Sequence, residues 1–249
     1  MRNVVTATSA ATMLVLFSGC AAGSPLAATS ESSTTPTTTE ERDPASAAVA
    51  DYLEAIAFGN PAGAWKLLSV ETQATYDSSV ETYAEYTPYN ETVTPDDAEA
   101  LARATFVVTA GPQDGVQIVS ARSGGIADAW VVRETTSGMR IDDPGIAPAS
   151  ERPFTWKNPD TDHYDSTTEP TIFFQTFHGS GGETDVIAGP PERVFGYADG
   201  AEVPVTKEAS SGAGSAFVAD VPVGAATLTA VWAPASENSL WWSSTVTLD

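Results

Sequence analysis

The sequence predicts an α+β unit followed by an all-β unit, both placed after an export signal and an unstructured tether. Three observations carry that expectation. Apolar residues between 45 and 83 recur at helical spacing, short strand-length apolar pieces begin near Thr105, and helical periodicity vanishes beyond residue 150. The chain has 249 residues, 42% hydrophobic and 18% charged, which suits one large folded domain or two ordinary ones.

Elements follow in order. Arg2 and the amino group give a thin positive start, and Val4 to Phe17 form a modestly apolar run diluted by Thr6, Thr8, Ser9 and Thr12. That run has signal-peptide length and is too short to span a bilayer core of roughly 30 Å. Phe17-Ser18-Gly19-Cys20 follows, and Cys20 is the sole cysteine, so no intrachain disulfide can form. The stretch resembles the lipobox of bacterial lipoproteins, in which small residues admit the peptidase and the cysteine becomes the lipidated first residue. Phe17 departs from the usual Leu. The resemblance implies cleavage between Gly19 and Cys20, acylation of the Cys20 thiol, and residence on the outer face of the cell membrane. An ordinary cleaved signal and an uncleaved anchor are the competing readings. The Ala-, Thr- and Asp-rich, Lys-poor composition is similar to that of high-GC actinobacterial proteins.

Residues 20–44 are rich in Thr, Ser and Pro and bury nothing, so they read as a disordered stalk. The first folded unit, 45–150, opens on Asp43-Pro44, an N-cap followed by proline at the first helical position. Val49, Tyr52, Leu53 and Ile56 form one stripe, Gly59 suits a left-handed helix end, and Asn60-Pro61 opens a second helix carrying Trp65, Leu67 and Leu68. Ser69 to about Tyr83 reads as a third helix. Strands are expected at Thr105–Thr109, Val116–Ser120, Ala129–Arg133 and, after the Thr136-Ser137-Gly138 turn, at Met139 onward. The run from Ala50 to Ser69, with its Gly/Asn break and its Trp and Leu-Leu, is similar to the start of NTF2-like domains. That resemblance implies a cone-shaped α+β fold that can enclose a pocket. Trp65, Tyr76, Tyr83, Phe106 and Trp130, with Tyr86 and Tyr89, are then either core or lid, a ligand-pocket lining, or, last, part of a catalytic site. The segment contains no histidine, and no carboxylate is paired in sequence with an oxyanion donor.

Asp142 to Ser150 reads as a hinge. The second unit, 151–249, shows about seven short apolar runs separated by turns: 154–156, 171–177, 193–197, 202–206, 216–221, 226–232 and 240–248. Their number and spacing resemble an Ig-like β-sandwich without the Cys…Trp…Cys core. In the last run, period-two alternation places Leu240, Trp242, Val246 and Leu248 on the core face and turns Trp241 outward, to a domain interface or a sheet edge, or else to a carbohydrate or partner contact.

Charge and motifs bound the chemistry. Eleven Lys+Arg against 33 Asp+Glu give a net charge of −22, which repels nucleic-acid phosphates and anionic headgroups. Asp160-Thr-Asp162-His163-Tyr-Asp165 with Glu169 lacks the spacing and glycine of an EF-hand. His163 and His178 form no recognised metal pair, and His178-Gly-Ser-Gly-Gly182 lacks the lysine of a phosphate loop. No metal and no cofactor are expected. The expectation is therefore a non-enzymatic binding or scaffolding lipoprotein whose partner is an envelope protein. A small-ligand-binding protein is the alternative, and an enzyme using a pocket carboxylate comes third.

Overall fold

The chain folds into five helices and fourteen strands among the residues that the computed structural model describes, which are 42–90, 93–142, 154–157, 170–175, 177–178, 186–188, 191–211, 214–233 and 240–248. Among the described residues every pair of these strands is antiparallel, and one isolated parallel bridge joins Leu68 to Ile141. The Cys20 region, Asp160–Glu169 and Gly179–Gly182 lie outside the described residues.

Helix α1 (Pro44–Ala57) starts where its sequence dictates. The Asp43 carboxylate accepts from the amides of Ala45 (2.9 Å) and Ser46 (3.4 Å). It ends in a paired C-terminal motif: Asn60 N–H donates to Ala55 C=O at 2.8 Å and Gly59 N–H to Ile56 C=O at 2.9 Å. Gly59 has φ +62, the left-handed value that glycine adopts without strain. Asn60 then caps α2 (Pro61–Trp65) by accepting from Gly63 N–H at 3.0 Å.

The single third helix expected from Ser69 to Tyr83 is instead two, α3 (Val70–Ala74) and α4 (Val80–Asn90). Asp77 and Ser78 both adopt positive φ (56 and 54), which turns the chain between them. A fifth helix, α5 (Pro95–Ala102), was not expected. Its local signal is Thr94-Pro95-Asp96-Asp97, where Thr94 Oγ1 accepts from Asp97 N–H at 3.2 Å and donates to the Asp97 carboxylate at 2.7 Å.

Strands β1 (Phe106–Ala110), β2 (Val116–Ser123), β3 (Ile126–Thr135) and β4 (Gly138–Ile141) form a four-stranded meander. Its centre is buried on both faces. Val119, Ala121, Trp130 and Val132 pack with α1 and α5, while Val116, Ile118, Ala129 and Val131 face the other way. A sheet covered on both sides carries continuous apolar runs rather than alternation, which is why Ala129-Trp-Val-Val reads as it does.

Beyond it lie β5 (Phe154–Lys157), β6 (Thr171–Gln175), β7 (Phe177–His178), β8 (Val186–Ala188), β9 (Val194–Ala198), β10 (Ala201–Val203), β11 (Val205–Ser211), β12 (Gly214–Ala219), β13 (Thr227–Trp232) and β14 (Trp242–Thr247). They form sheets of order β10-β9-β13-β14 and β11-β12-β6-β5, with β7 and β8 as a separate pair. The two larger sheets share clusters: Ile172, Phe174 and Phe217 from one pack with Val194, Ala230 and Trp232 from the other. The space left between them is about 10 Å³. The one strand expected at Glu202–Thr206 is two, in different sheets. Pro204 separates them, because a residue without N–H cannot continue the ladder and marks the crossing.

Candidate functional site

Of the aromatic candidates in the first unit, Tyr76, Tyr83 and Trp130 belong to the cluster under the helices, and Trp65 and Phe106, both half-buried, pack against it, while the side chains of Tyr86 and Tyr89 lie outside the described residues. Trp65, Tyr76 and Tyr83 form a mutual ring contact, with centroids 5.2 to 6.4 Å apart, and Tyr76 and Tyr83 meet edge to face at 84°. Arg42 approaches the Phe106 ring at 5.9 Å. The set fills the interior.

Among the described residues, two clefts open on the helical surface. One, of about 500 Å³, is lined by Ile56, Pro61, Ala64, Tyr83, Val93 and Pro95, with Gly59 and Asn60 at its rim. A second, of about 390 Å³, is lined by Asp51, Glu54, Phe58, Lys66 and Leu67. Ala55 and Asn60 border both. Tyr83 is thus the candidate that touches a cleft, and it does so from a position only 1% exposed.

The seam between the meander and the β9/β13 sheet is the second polar and aromatic centre. Val116, Ile118, Ala129 and Val131 meet Tyr197 and Val231 there. Trp241 caps this cluster, half-buried, with its ring 6.0 Å from that of Phe195. Trp242 turns to the opposite side, into the core between the two larger sheets, joined by Val246 further along β14 and by Leu248 just past its end. Leu240 precedes the strand. Ser243 donates to the Ala129 carbonyl at 2.9 Å, and Thr109 to that of Gly200.

Asp142, expected to start a hinge, is instead completely buried. Its carboxylate receives Arg133 through Nε at 3.1 and 3.2 Å and Nη2 at 2.5 Å, and its carbonyl accepts from Thr72 on α3. Trp241 N–H points at the same carboxylate from 3.4 Å. Helices, meander and last strand therefore converge on one ion pair. Burial alone lowers the Arg133 pKa, but the hydrogen bond and charge of Asp142, with Glu71 adding, hold it above the ordinary value. Among the described clefts, neither residue of this pair forms part of a lining.

Tyr197 lies at the seam with its hydroxyl buried and without a hydrogen-bond partner among the described residues. Burial, helped by Glu202 directly opposite in the ladder, pushes its pKa up to about 12. A folded-state pKa above the unfolded value of about 10 contributes stability that is complete below pH 10 and drains as pH rises toward 12. The melting temperature of the wild type should fall more steeply than that of Tyr197→Phe across this window. At pH 7 the variant should be equal in stability or up to about 1 kcal/mol more stable, because it removes an unsatisfied polar atom. Matching alkaline slopes in the two proteins would contradict this.

No three His, Cys, Asp or Glu side chains are grouped to hold a metal among the described residues, and none of their helices is long and apolar enough to cross a membrane. Comparison with known proteins gives no match to any protein-family model, curated protein or solved structure. The clefts had no sequence signal, because they arise from how four helices splay around the α1–α2 turn.

Proposed function

We propose that this protein is a lipid-anchored, extracytoplasmic lipoprotein that acts as a non-enzymatic binding or scaffolding module at the cell envelope. The observation that supports this best is the filled interior: Trp65, Tyr76, Tyr83 and Trp130 pack against one another or the core instead of lining a chamber. No carboxylate borders the larger cleft among the described residues, and Asp51 and Glu54 border the smaller, shallower one. The available features are surfaces, and surfaces bind.

The same proposal takes the helices and meander as an NTF2-like unit and the remaining strands as an Ig-like sandwich. Strand order supports the second assignment. β5-β6-β12-β11 and β10-β9-β13-β14 follow the A-B-E-D and C′-C-F-G sequences of such sandwiches, with β7 and β8 as an insertion between B and C. The seam built on Trp241 and the Arg133–Asp142 pair fixes one unit against the other, as suits a scaffold.

Anchoring rests on Cys20 and the small residues before it. Two or more acyl chains hold a protein stably, at roughly 0.8 kcal/mol per buried CH₂, where one chain holds it marginally. The stalk after Cys20, at about 5–6 Å × √n, places the folded part about 25–30 Å from the anchor. Metabolic labelling with a fatty-acid analogue should mark the parent and leave Cys20→Ala unmarked, and equal labelling would sink the anchor. Affinity capture from native membranes tests the binding role.

A further inference from the structure

Phe58 is 79% exposed at the end of α1, a large aromatic ring where solvent would favour a polar residue. It does not sit on a loose loop. The turn that carries it is fixed by the Asn60→Ala55 and Gly59→Ile56 hydrogen bonds on one side and by the Asn60 cap of α2 on the other. Phe58 borders the 390 Å³ cleft, and the 500 Å³ apolar cleft opens beside it across the shared Ala55 and Asn60. Asp51 and Glu54 lie three and four residues apart along the same exposed face of α1 that ends in Phe58. An exposed ring, an apolar recess and two carboxylates are thus held around one rigid turn, and Lys66, on the same cleft, offsets one of the two charges and leaves the lining net negative.

We infer that this turn is the docking site for a partner protein, and that the partner presents a cationic segment with an apolar side chain between its Lys or Arg residues. The inference rests on the binding-module reading and names its surface. Charge selects the occupant. A second copy of this chain, at net −22, is repelled, and residues 21–41 of the chain hold no Lys or Arg to complement Asp51 and Glu54. Anionic lipid is repelled for the same reason. The apolar side chain enters the recess beside Tyr83 and Ile56, Phe58 packs over it, and the cations meet Asp51 and Glu54. A pre-ordered turn loses little freedom on binding, so its aromatic ring can act as an anchor.

The test uses the full-length protein and two fluorescent peptides of equal length and equal phenylalanine content, one with lysines and one with glutamates between the rings. Anionic phosphatidylglycerol vesicles are the third probe. The lysine peptide should bind and the glutamate peptide and vesicles should not. Phe58→Ser should weaken lysine-peptide binding about tenfold or more. Asp51→Asn/Glu54→Gln should weaken it several-fold, while the distant exposed pair Glu192→Gln/Asp220→Asn leaves it unchanged. All variants alter exposed positions, and an unchanged melting temperature verifies the fold. Equal binding by Phe58→Ser, equal weakening by the distant pair, or preference for the vesicles overturns the site. If a partner captured from membranes is retained in full by Phe58→Ser, the site is wrong and the binding-module reading stands. If no partner is captured at all, that reading itself fails.

Discussion

Arg133→Ala is expected to destabilise the protein by about 3–5 kcal/mol, one of the largest single effects in the chain. The reason is the completely buried Asp142 carboxylate, which among the described residues would be left with one long contact, from Trp241 N–H at 3.4 Å. The reverse change, Asp142→Ala, should cost less. The Arg133 side chain is 24% exposed, so its guanidinium can turn toward water when its partner is gone. The double alanine variant should then be more stable than the sum of the two losses implies, giving a coupling energy of the size found for contacting residues, about 0.5–3 kcal/mol. Replacing both with apolar residues, as Arg133→Met/Asp142→Leu, should be close to neutral, because the pair's attraction is largely offset by its desolvation. Urea unfolding of the four variants measures all of this. Additive losses would show that the pair is not a coupled unit.

Tyr83→Ala carries the second large effect, and it separates a packed interior from a pocket wall. Tyr83 is 1% exposed and meets Tyr76 edge to face at 5.2 Å and Trp65 at a tilt at 5.6 Å, so truncating it opens a cavity within the packed cluster. Large aromatic truncations of this kind cost about 3–5 kcal/mol, and lost edge-to-face contacts add to the upper end. A residue whose main duty is to line an open cleft would lose much less. A fall in stability below about 1 kcal/mol would return Tyr83 to the pocket reading and weaken the case for a filled interior.

Much of the secondary structure is legible in the residues, because local chemistry decides it. Asp43-Pro44 starts α1 and Gly59 ends it with no help from distant parts of the chain. The alternation around Trp241 and Trp242 sends the two rings to opposite sides of β14, since period two is a property of any strand. Three features resist such reading. The break between α3 and α4 depends on Asp77 and Ser78 in left-handed conformations that their identities permit but do not demand. The fate of residues 202–206 depends on which sheet each half joins, which alternation does not specify. The Arg133–Asp142 pair joins two polar residues that look like a strand end and a hinge until the β3–β4 register brings them together.

The surface proposed as functional is legible only in part. Asp51, Glu54 and Phe58 share a helical face by spacing alone, but an exposed phenylalanine and a buried one look identical in a sequence. Exposure comes from the paired hydrogen bonds that stop α1 at that point and leave Phe58 past the reach of the sheet. The seam is similar. Val116, Ile118, Ala129 and Val131 announce a second buried face, yet nothing local says that Tyr197 and Val231 will cover it.

Affinity capture of the full-length protein from its source cells, with protein and small-molecule mass spectrometry on the same eluate, tests the proposed binding role most directly. The account predicts a protein partner recovered at near-constant ratio and no small molecule enriched with it. A tightly co-purifying small molecule with no protein partner would contradict it.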